Sequence, residues 1–330
     1  MSPPSEQDDI VRVENLTVVY RTVYGPLKSL NSVNFRVRRG ESVSIVGESG
    51  SGKSTLGLAI VRLLPPNGYY QSGSLILDGK DMVGMSERAV RNVRGSSAFM
   101  IFQDPLNTLN PVKRVDVQMM EAIKSRCKQE GKHFDSDKAR NEAIQKLSDV
   151  RMPDPEKIIS RYPHELSGGQ IQRVVISMGL LMRPKLMIAD EPTSALDVTI
   201  QAQVMELMRE LQREYNMSII FITHDINVAH SISDRMVVMY AGEVIESAPT
   251  DEIVKSALHP YSEALIASIP RTTKRQGRLN AIAGSPPDMI SPPEGCRFHP
   301  RCPRVMDVCH VRSPGVTRMD DDEVRCFLYG

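Results

Sequence analysis

Two stretches of this sequence have the make-up of anion-binding loops. The first, "GESGSGKST" from Gly47 to Thr55, fits G-x-x-x-x-G-K-[ST] and lies between a predicted strand and a predicted helix. Gly47, Gly50 and Gly52, with Ser49 and Ser51 between them, let backbone N–H groups turn inward around phosphate oxygens. The following helix N-terminus adds its positive end. Lys53 is expected to reach the β and γ phosphates of a nucleoside triphosphate, and the Ser54 hydroxyl to bind Mg²⁺. The second stretch is "ELSGGQ", Glu165 to Gln170, where Ser-Gly-Gly opens a helical pattern and offers an anion the same N–H groups and dipole. A triphosphate surrounded by the first loop needs no second cradle from the same chain. The second loop makes sense if Ser167, Gly168 and Gly169 face a neighbouring chain's nucleotide. Two copies packed head to tail would then trap two ATP molecules at their interface.

Other single residues complete the chemistry. "KLMIADE" is an apolar run of the kind buried on both faces of a sheet. Asp190 at its end is expected to hold Mg²⁺ through water, and Glu191 to act as general base on an attacking water. Gln103 ends another strand-like run and is expected to touch both Mg²⁺ and that water. His224 ends "IIFITH" and is expected to hydrogen-bond the γ-phosphate.

The elements that must position these groups follow from periodicity. Residues 11–46 alternate apolar and polar positions, which predicts antiparallel strands ending in a buried strand, Ser42 to Val46. "STLGLAIVRLL" predicts a helix and "PPNG" ends it. From about Pro105 to Met182 the pattern turns helical and polar, which predicts a helical insert carrying the second loop. Strands return with "KLMIADE" and "SIIFITHD", and "RMVVMYAGEVIES" predicts a closing hairpin. After Pro270 the composition shifts to Pro, Gly and basic residues.

Bulk properties narrow the classes. A net charge of +1 gives no footing for bulk nucleic-acid binding. No apolar run approaches the roughly 18 residues that span a bilayer, and the polar start "MSPPSEQDDI" is not a signal peptide. Membrane contact is therefore expected through protein partners. The run "DDDE", Asp320 to Glu323, reads as a solvated loop, and Cys127 as an ordinary thiol.

In this order the motifs resemble those of the nucleotide-binding subunits of ATP-binding cassette (ABC) transporters, over roughly residues 10–250. The resemblance implies a P-loop NTPase (RecA-like) α/β core with an antiparallel β-subdomain and a helical insert at about 105–182. It makes Tyr20, with Tyr24 as competitor, the aromatic that stacks on adenine. It makes Gly47–Thr55 the P-loop, Gln103 the Q-loop and Leu166–Gln170 the signature. Lys185–Asp190 with Glu191 becomes the Walker B strand, Ser194–Asp197 the D-loop and His224 the switch histidine. ATP binding would close two subunits and hydrolysis reopen them, with the insert and residues near 103–115 as the lever to a membrane partner.

Residues 251–330 extend the likeness. "HPYSEALIASIP" and "GSPPDMISPPEGCRFHPRCPRVMDVC" resemble the tail of dipeptide/oligopeptide transporter ATPases, nearer the D-type than the F-type subunit. The resemblance implies an ATPase coupled to import of peptides or oligosaccharides, on the cytoplasmic face of the membrane. Its partners would be a second ATPase (a sister F-type subunit or a second copy), two permeases and an extracytoplasmic binding protein, with no nucleic acid. A DNA-repair or translation ATPase is the alternative. Repair types need a long coiled coil between P-loop and signature, and the roughly 110 residues there hold none. Translation types carry two cassettes.

Cys296, Cys302, Cys309 and Cys326 crowd the tail at spacings of five, six and sixteen residues. Four thiolates suit zinc or an iron–sulfur cluster, with free buried thiols as the third reading. The tight knuckles of structural zinc are missing, and wide loops with Pro303 after Cys302 suit a cubane better. The resemblance also implies a [4Fe–4S] cluster. The expectation is that this cluster folds a segment too short to build its own core, with His299 and His310 as loop histidines.

Overall fold

Alternating side chains build the first sheet. The computed structural model describes residues 8–104, 108–193, 197–269, 282–319 and 321–330. The chain divides into two units, Met1–Val83 with Phe221–Gly330, and Gly84–Ile220.

The first unit opens with β1 (Asp9–Thr22), β2 (Gly25–Arg38), β3 (Ser42–Val46), α1 (Lys53–Ile60), β4 (Gly68–Leu77) and β5 (Lys80–Asp81). In β2, Val33, Phe35 and Val37 are buried while Asn34, Arg36 and Arg38 between them are exposed. That two-residue period lets one face of the antiparallel sheet β2-β1-β4-β5 meet the core and the other meet water. Val13 stands opposite Phe35 on one side and Leu75 on the other. β3 has no exposed residue, as its parallel pairing with β9 requires.

The second unit contains α2 (Glu87–Val93), β6 (Ala98–Ile101), α3 (Val115–Gln129), α4 (Ser136–Asp149), α5 (Pro155–Ile158), α6 (Gly168–Leu181), β7 (Leu186–Asp190), α7 (Val198–Glu214) and the start of β8 (Ser218–Ile222). β6 and β7 run parallel, Ala98 opposite Leu186 and Ile101 opposite Ala189. α3 and α4 are tied by a forked ion pair, Arg126 to Glu142 at 2.9 and 2.7 Å, and Arg183 joins the same carboxylate at 2.9 Å. The Arg126 hydrogen bonds hold the Glu142 carboxyl below the usual carboxylate range.

The chain then re-enters the first unit through α8 (Ile226–Ile232), β9 (Arg235–Tyr240), β10 (Glu243–Pro249), α9 (Thr250–Ser256), α10 (Pro260–Ala267), α11 (Asp307–Val311), β11 (Thr317–Met319) and β12 (Asp322–Val324). Within this unit the strands run in the order β11-β12-β10-β9-β3, with parallel and antiparallel pairs mixed.

The tail makes a core of its own with its neighbours, which corrects the expectation that a cluster folds it. Phe298 is buried against Tyr240, Tyr261 and His259, with ring centroids 5.2, 5.4 and 5.7 Å away. β12 adds to β10, Glu246 opposite Val324. Cys296, Cys302, Cys309 and Cys326 are free thiols, and the first two pack against this apolar cluster. Burial, reinforced by the neighbouring Cys309 and Cys326, pushes the Cys296 thiol up to about 11. Among the described residues, no three or more His, Cys, Asp or Glu side chains are grouped to hold a metal ion. Neither the expected [4Fe–4S] cluster nor the zinc alternative is supported.

The same core carries a pH dependence. His259 is 2% exposed, its Nδ1 accepts the Tyr261 N–H at 3.0 Å, and its backbone N–H donates to the Glu246 carboxylate at 3.0 Å. Burial pushes the imidazole down to about 3, whereas in the unfolded chain it titrates at 6.5. Between those values the unfolded state binds the extra proton, so this histidine's contribution to stability falls as pH drops below 6.5. Burial raises the Glu246 carboxyl, which acts in the opposite sense. A difference measurement isolates the histidine: His259→Asn keeps a helix-capping acceptor and cannot protonate. In thermal melts stepped downward from pH 6.5, wild type is expected to lose its advantage over H259N progressively.

Candidate functional site

Each unit carries one set of the chemically suited residues. In the first, the chain leaves buried β3, turns at Gly47 and enters α1 at Lys53. Gly47 has φ 150°, and a Cβ there would overlap the Met239 carbonyl oxygen. Gly52, the residue before α1, has φ 100°, and a Cβ would stand 2.7 Å from the Ser29 carbonyl oxygen. Only glycine allows so close an approach in the left-handed region. No side chain caps α1 and its first turn has no acidic residue, so the positive end of the helix dipole is not offset locally.

The loop is closed on itself. The Lys53 Nζ, 7% exposed as a residue, donates to the carbonyls of Gly47 and Glu48 at 2.8 and 2.9 Å. The Ser51 hydroxyl is buried without a hydrogen-bond partner. An orphaned donor inside the loop, an uncapped helix start and a buried lysine fit a polyphosphate, whose oxygens can satisfy all three. Ser49 and Gly50 lie at the loop's exposed rim, and Ser54 is exposed at the first turn of α1. Thr55 is buried and shares a 2.8 Å hydrogen bond with Ser29.

The Tyr20 hydroxyl donates to Thr55 at 3.2 Å, and its ring lies against Gly68, where a Cβ would come within 2.6 Å. Tyr20 therefore flanks the phosphate loop partly buried, while Tyr24 is 84% exposed in the β1–β2 turn. His224 is exposed immediately after β8. Its position is set on both sides: the Thr223 N–H reaches the Ile45 carbonyl at 3.1 Å, and Asp225 caps α8 through the N–H groups of Asn227 and Val228.

In the second unit, β7 delivers Asp190, 6% exposed, and then Glu191. Glu191 adopts φ 44°, a left-handed conformation that costs a non-glycine residue about 1–3 kcal/mol. The turn aims its carboxylate at Gln103, whose Nε2 donates to Oε2 at 2.9 Å across 88 positions of sequence. Both residues were expected to address one water, and the structure joins them directly.

Ser167 opens α6 in a capping box: its Oγ accepts the Gln170 N–H at 3.4 Å, and Gln170 Oε1 accepts the Ser167 N–H at 3.0 Å. Gly168 and Gly169 form the first turn, and a Cβ on Gly169 would meet Ile200 at 3.0 Å. Asp197 caps α7, accepting from Thr199 and Ile200 at 3.1 and 3.0 Å. The rest of the expected D-loop, 194–196, lies outside the described residues.

Several groups that meet the phosphate loop have no motif to mark them. Arg301 forks onto Glu48, and Tyr261 accepts the Glu48 N–H. Nothing in the sequence marks them, and the burial of Tyr261 after "HP" is visible only in the fold.

Comparison with known proteins places this geometry. The ABC transporter family matches residues 30–194, and the oligopeptide/dipeptide transporter C-terminal region matches residues 245–309. The chain is 44% identical to the oligopeptide transport ATP-binding protein OppD of Bacillus subtilis (strain 168), over 94% of this chain and 86% of that protein. It is 42% identical to the dipeptide transport ATP-binding protein DppD of the same organism, over 97% and 95%. Among solved structures it resembles the ATP-binding cassette MJ0796, dimeric in a post-hydrolysis state with ADP and phosphate bound. The TM-score is 0.65 and the identity 28%, over 73% of this chain and 98% of that one. It also resembles cbiO1 of Clostridium perfringens, part of the transporter complex cbiONQ, with TM-score 0.64 and 30% identity over 76% and 92%. Cassette and tail are thus both matched, and the chain belongs to the ABC transporter family as one of its ATP-binding subunits.

Proposed function

We propose that this chain hydrolyses ATP to drive an importer whose cargo is peptides. The observation that carries the cargo is the tail: residues 245–309 fit a region described for oligopeptide and dipeptide transporters, beyond the cassette itself. The names of the relatives support the same reading, and none of them favours oligosaccharide cargo or a DNA-repair or translation role. Among the described residues no helix is long and apolar enough to cross a membrane. In this reading the chain acts at the cytoplasmic face through permease subunits, as an ATP-binding subunit of the transporters its relatives are named for.

In this reading Lys53 and the start of α1 bind the triphosphate, and Tyr20 packs at the adenine. Ser54 and Gln103 would hold Mg²⁺, with Asp190 reaching it through water, and the ion when bound would supply positive charge against that of the phosphates. Glu191 takes the proton of the attacking water, and its bond to Gln103 sets the direction of the carboxylate. His224 hydrogen-bonds the γ-phosphate. Ser167, Gly168, Gly169 and Gln170 serve the nucleotide of a facing ATPase, and Asp197 stands near that junction. The dimeric cassette among the structural neighbours supports such a pair. A sister ATPase, two permeases and an extracytoplasmic binding protein complete the assembly.

The test is to purify the tagged chain from membranes, identify its partners by mass spectrometry, and reconstitute them in proteoliposomes with ATP on the ATPase side. Peptide accumulation that needs ATP is the expected result. Accumulation of an oligosaccharide or of nickel in place of peptide would overturn the cargo, and the absence of any permease would overturn the transport role.

A further inference from the structure

We propose that the C-terminal segment is a clamp on the phosphate loop, with Arg301 as its positioning residue, so that nucleotide affinity depends on the docked tail. The proposal rests on the reading of Gly47–Thr55 as the nucleotide site and names what regulates it.

The clamp grips both ends of the loop. At the near end, Arg301 donates Nη1 and Nη2 to the two Glu48 carboxylate oxygens at 2.7 and 3.0 Å. The Arg301 side chain is 4% exposed. Its remaining donors go to the Ala283 carbonyl at 2.8 Å, the Tyr240 hydroxyl at 3.3 Å and the Ile282 carbonyl at 3.5 Å. A guanidinium fork fixed on both edges sets position as well as charge. Beside it, the buried Tyr261 hydroxyl accepts the Glu48 N–H at 2.9 Å.

At the far end the grip is indirect. Gly242 donates its N–H to the Ser51 carbonyl at 2.9 Å, so the β9–β10 turn supports the loop just before Lys53. Arg297 of the tail donates to the Ala241 carbonyl in that turn and pairs with Glu243 at 3.5 Å. Two side chains, Arg301 and Tyr261, therefore hold Glu48 directly, and a third, Arg297, braces the turn that meets Ser51.

The chemistry gives the clamp a signature beyond stability. Glu48 places a carboxylate in a loop built for a polyanion. Paired with Arg301, its charge is offset; unpaired, it repels phosphate. The tail thus supplies the cation that makes an acidic phosphate loop tolerable, and its docking lowers the ordering cost of nucleotide binding.

The test uses the full-length chain and equilibrium titration with MgATP. Wild-type binding tests the reading of the loop, and the variants test the clamp. Arg301→Ala is expected to weaken MgATP about tenfold, as loss of one partner of a desolvated charge pair does. Adding Glu48→Gln to R301A is expected to recover most of that loss, because the stranded charge is gone. In the assembled ATPase, R301A is expected to raise KM for ATP and leave kcat within about twofold. Tyr261→Phe removes a single buried oxygen and is expected to speed hydrogen exchange at the Glu48 amide and weaken MgATP about threefold; it serves alone should R301A fail to fold. Unchanged affinity in R301A or Y261F overturns the clamp. So does a loss in R301A that Glu48→Gln leaves untouched, since that is the mark of a merely structural role.

Discussion

Glu191→Gln is expected to reduce ATP turnover by about 10²–10⁴-fold, the range that a positioned general base contributes. MgATP binding should survive. The variant is nearly isosteric, and the amide can still pair with Gln103, whose Nε2 now meets Glu191 Oε2 at 2.9 Å. The left-handed turn at φ 44° is set by β7 and the backbone, so it does not change with the side-chain head group. What disappears is the basicity of the carboxylate, because the amide oxygen that replaces it cannot take a proton from water. Binding draws on other residues, Lys53 and the uncapped start of α1, and in the proposed function closure draws on the signature of the facing subunit. The expected phenotype is a subunit that loads ATP, pairs and stops. Single-turnover kinetics with labelled ATP checks it: bound ATP should persist uncleaved. Normal hydrolysis by E191Q would remove Glu191 from the role of base and leave Gln103 and His224 as the groups to examine.

The nucleotide loop was legible because its physics is local. Gly47 and Gly52 are needed where φ is positive and a carbonyl crowds the Cα, and such positions repeat at fixed spacing wherever the loop occurs. The same holds for β3, whose unbroken apolar run reflects burial on both faces, and for β2, whose alternation reflects burial on one. Long-range partners are written nowhere in the spacing. Arg301 and Glu48 stand 253 positions apart, and only the folded tail brings them together. The tail also shows where reading by composition fails. Four cysteines close in sequence suggested a metal because thiolates are the usual reason to gather them. The alternative, thiols packed beside Phe298 and Tyr240 in an aromatic core, leaves the same composition behind. Ser167 is the intermediate case. Its place at a helix start was readable, but its present use as an N-cap for Gln170 requires the geometry of the capping box.

That capping box leads to the second large effect. In the single chain the Ser167 Oγ is engaged by the Gln170 N–H at 3.4 Å, long for a hydrogen bond of this kind and therefore weak enough to be exchanged. A phosphate oxygen arriving from a facing subunit offers an anionic partner to the same helix start, where N–H groups and dipole favour it. Ser167→Arg replaces the hydroxyl with a long side chain at the contact and removes the cap. Ala would test only the hydroxyl, whereas Arg blocks the approach as well. The expected result, in the assembled ATPase pair, is MgATP affinity close to wild type with turnover lower by about 10²–10³-fold, the scale for losing positioned donors to transition-state charge. Lys53→Ala should do the reverse and abolish binding itself, because its amine is the cation buried inside the loop, bonded to Gly47 and Glu48. The contrast separates two designs. If one chain held a complete site, damage at Ser167 would leave turnover untouched or would weaken binding along with it. Loss of turnover with binding intact requires that the signature act on a nucleotide already held elsewhere, which is the behaviour of a site finished by a second subunit.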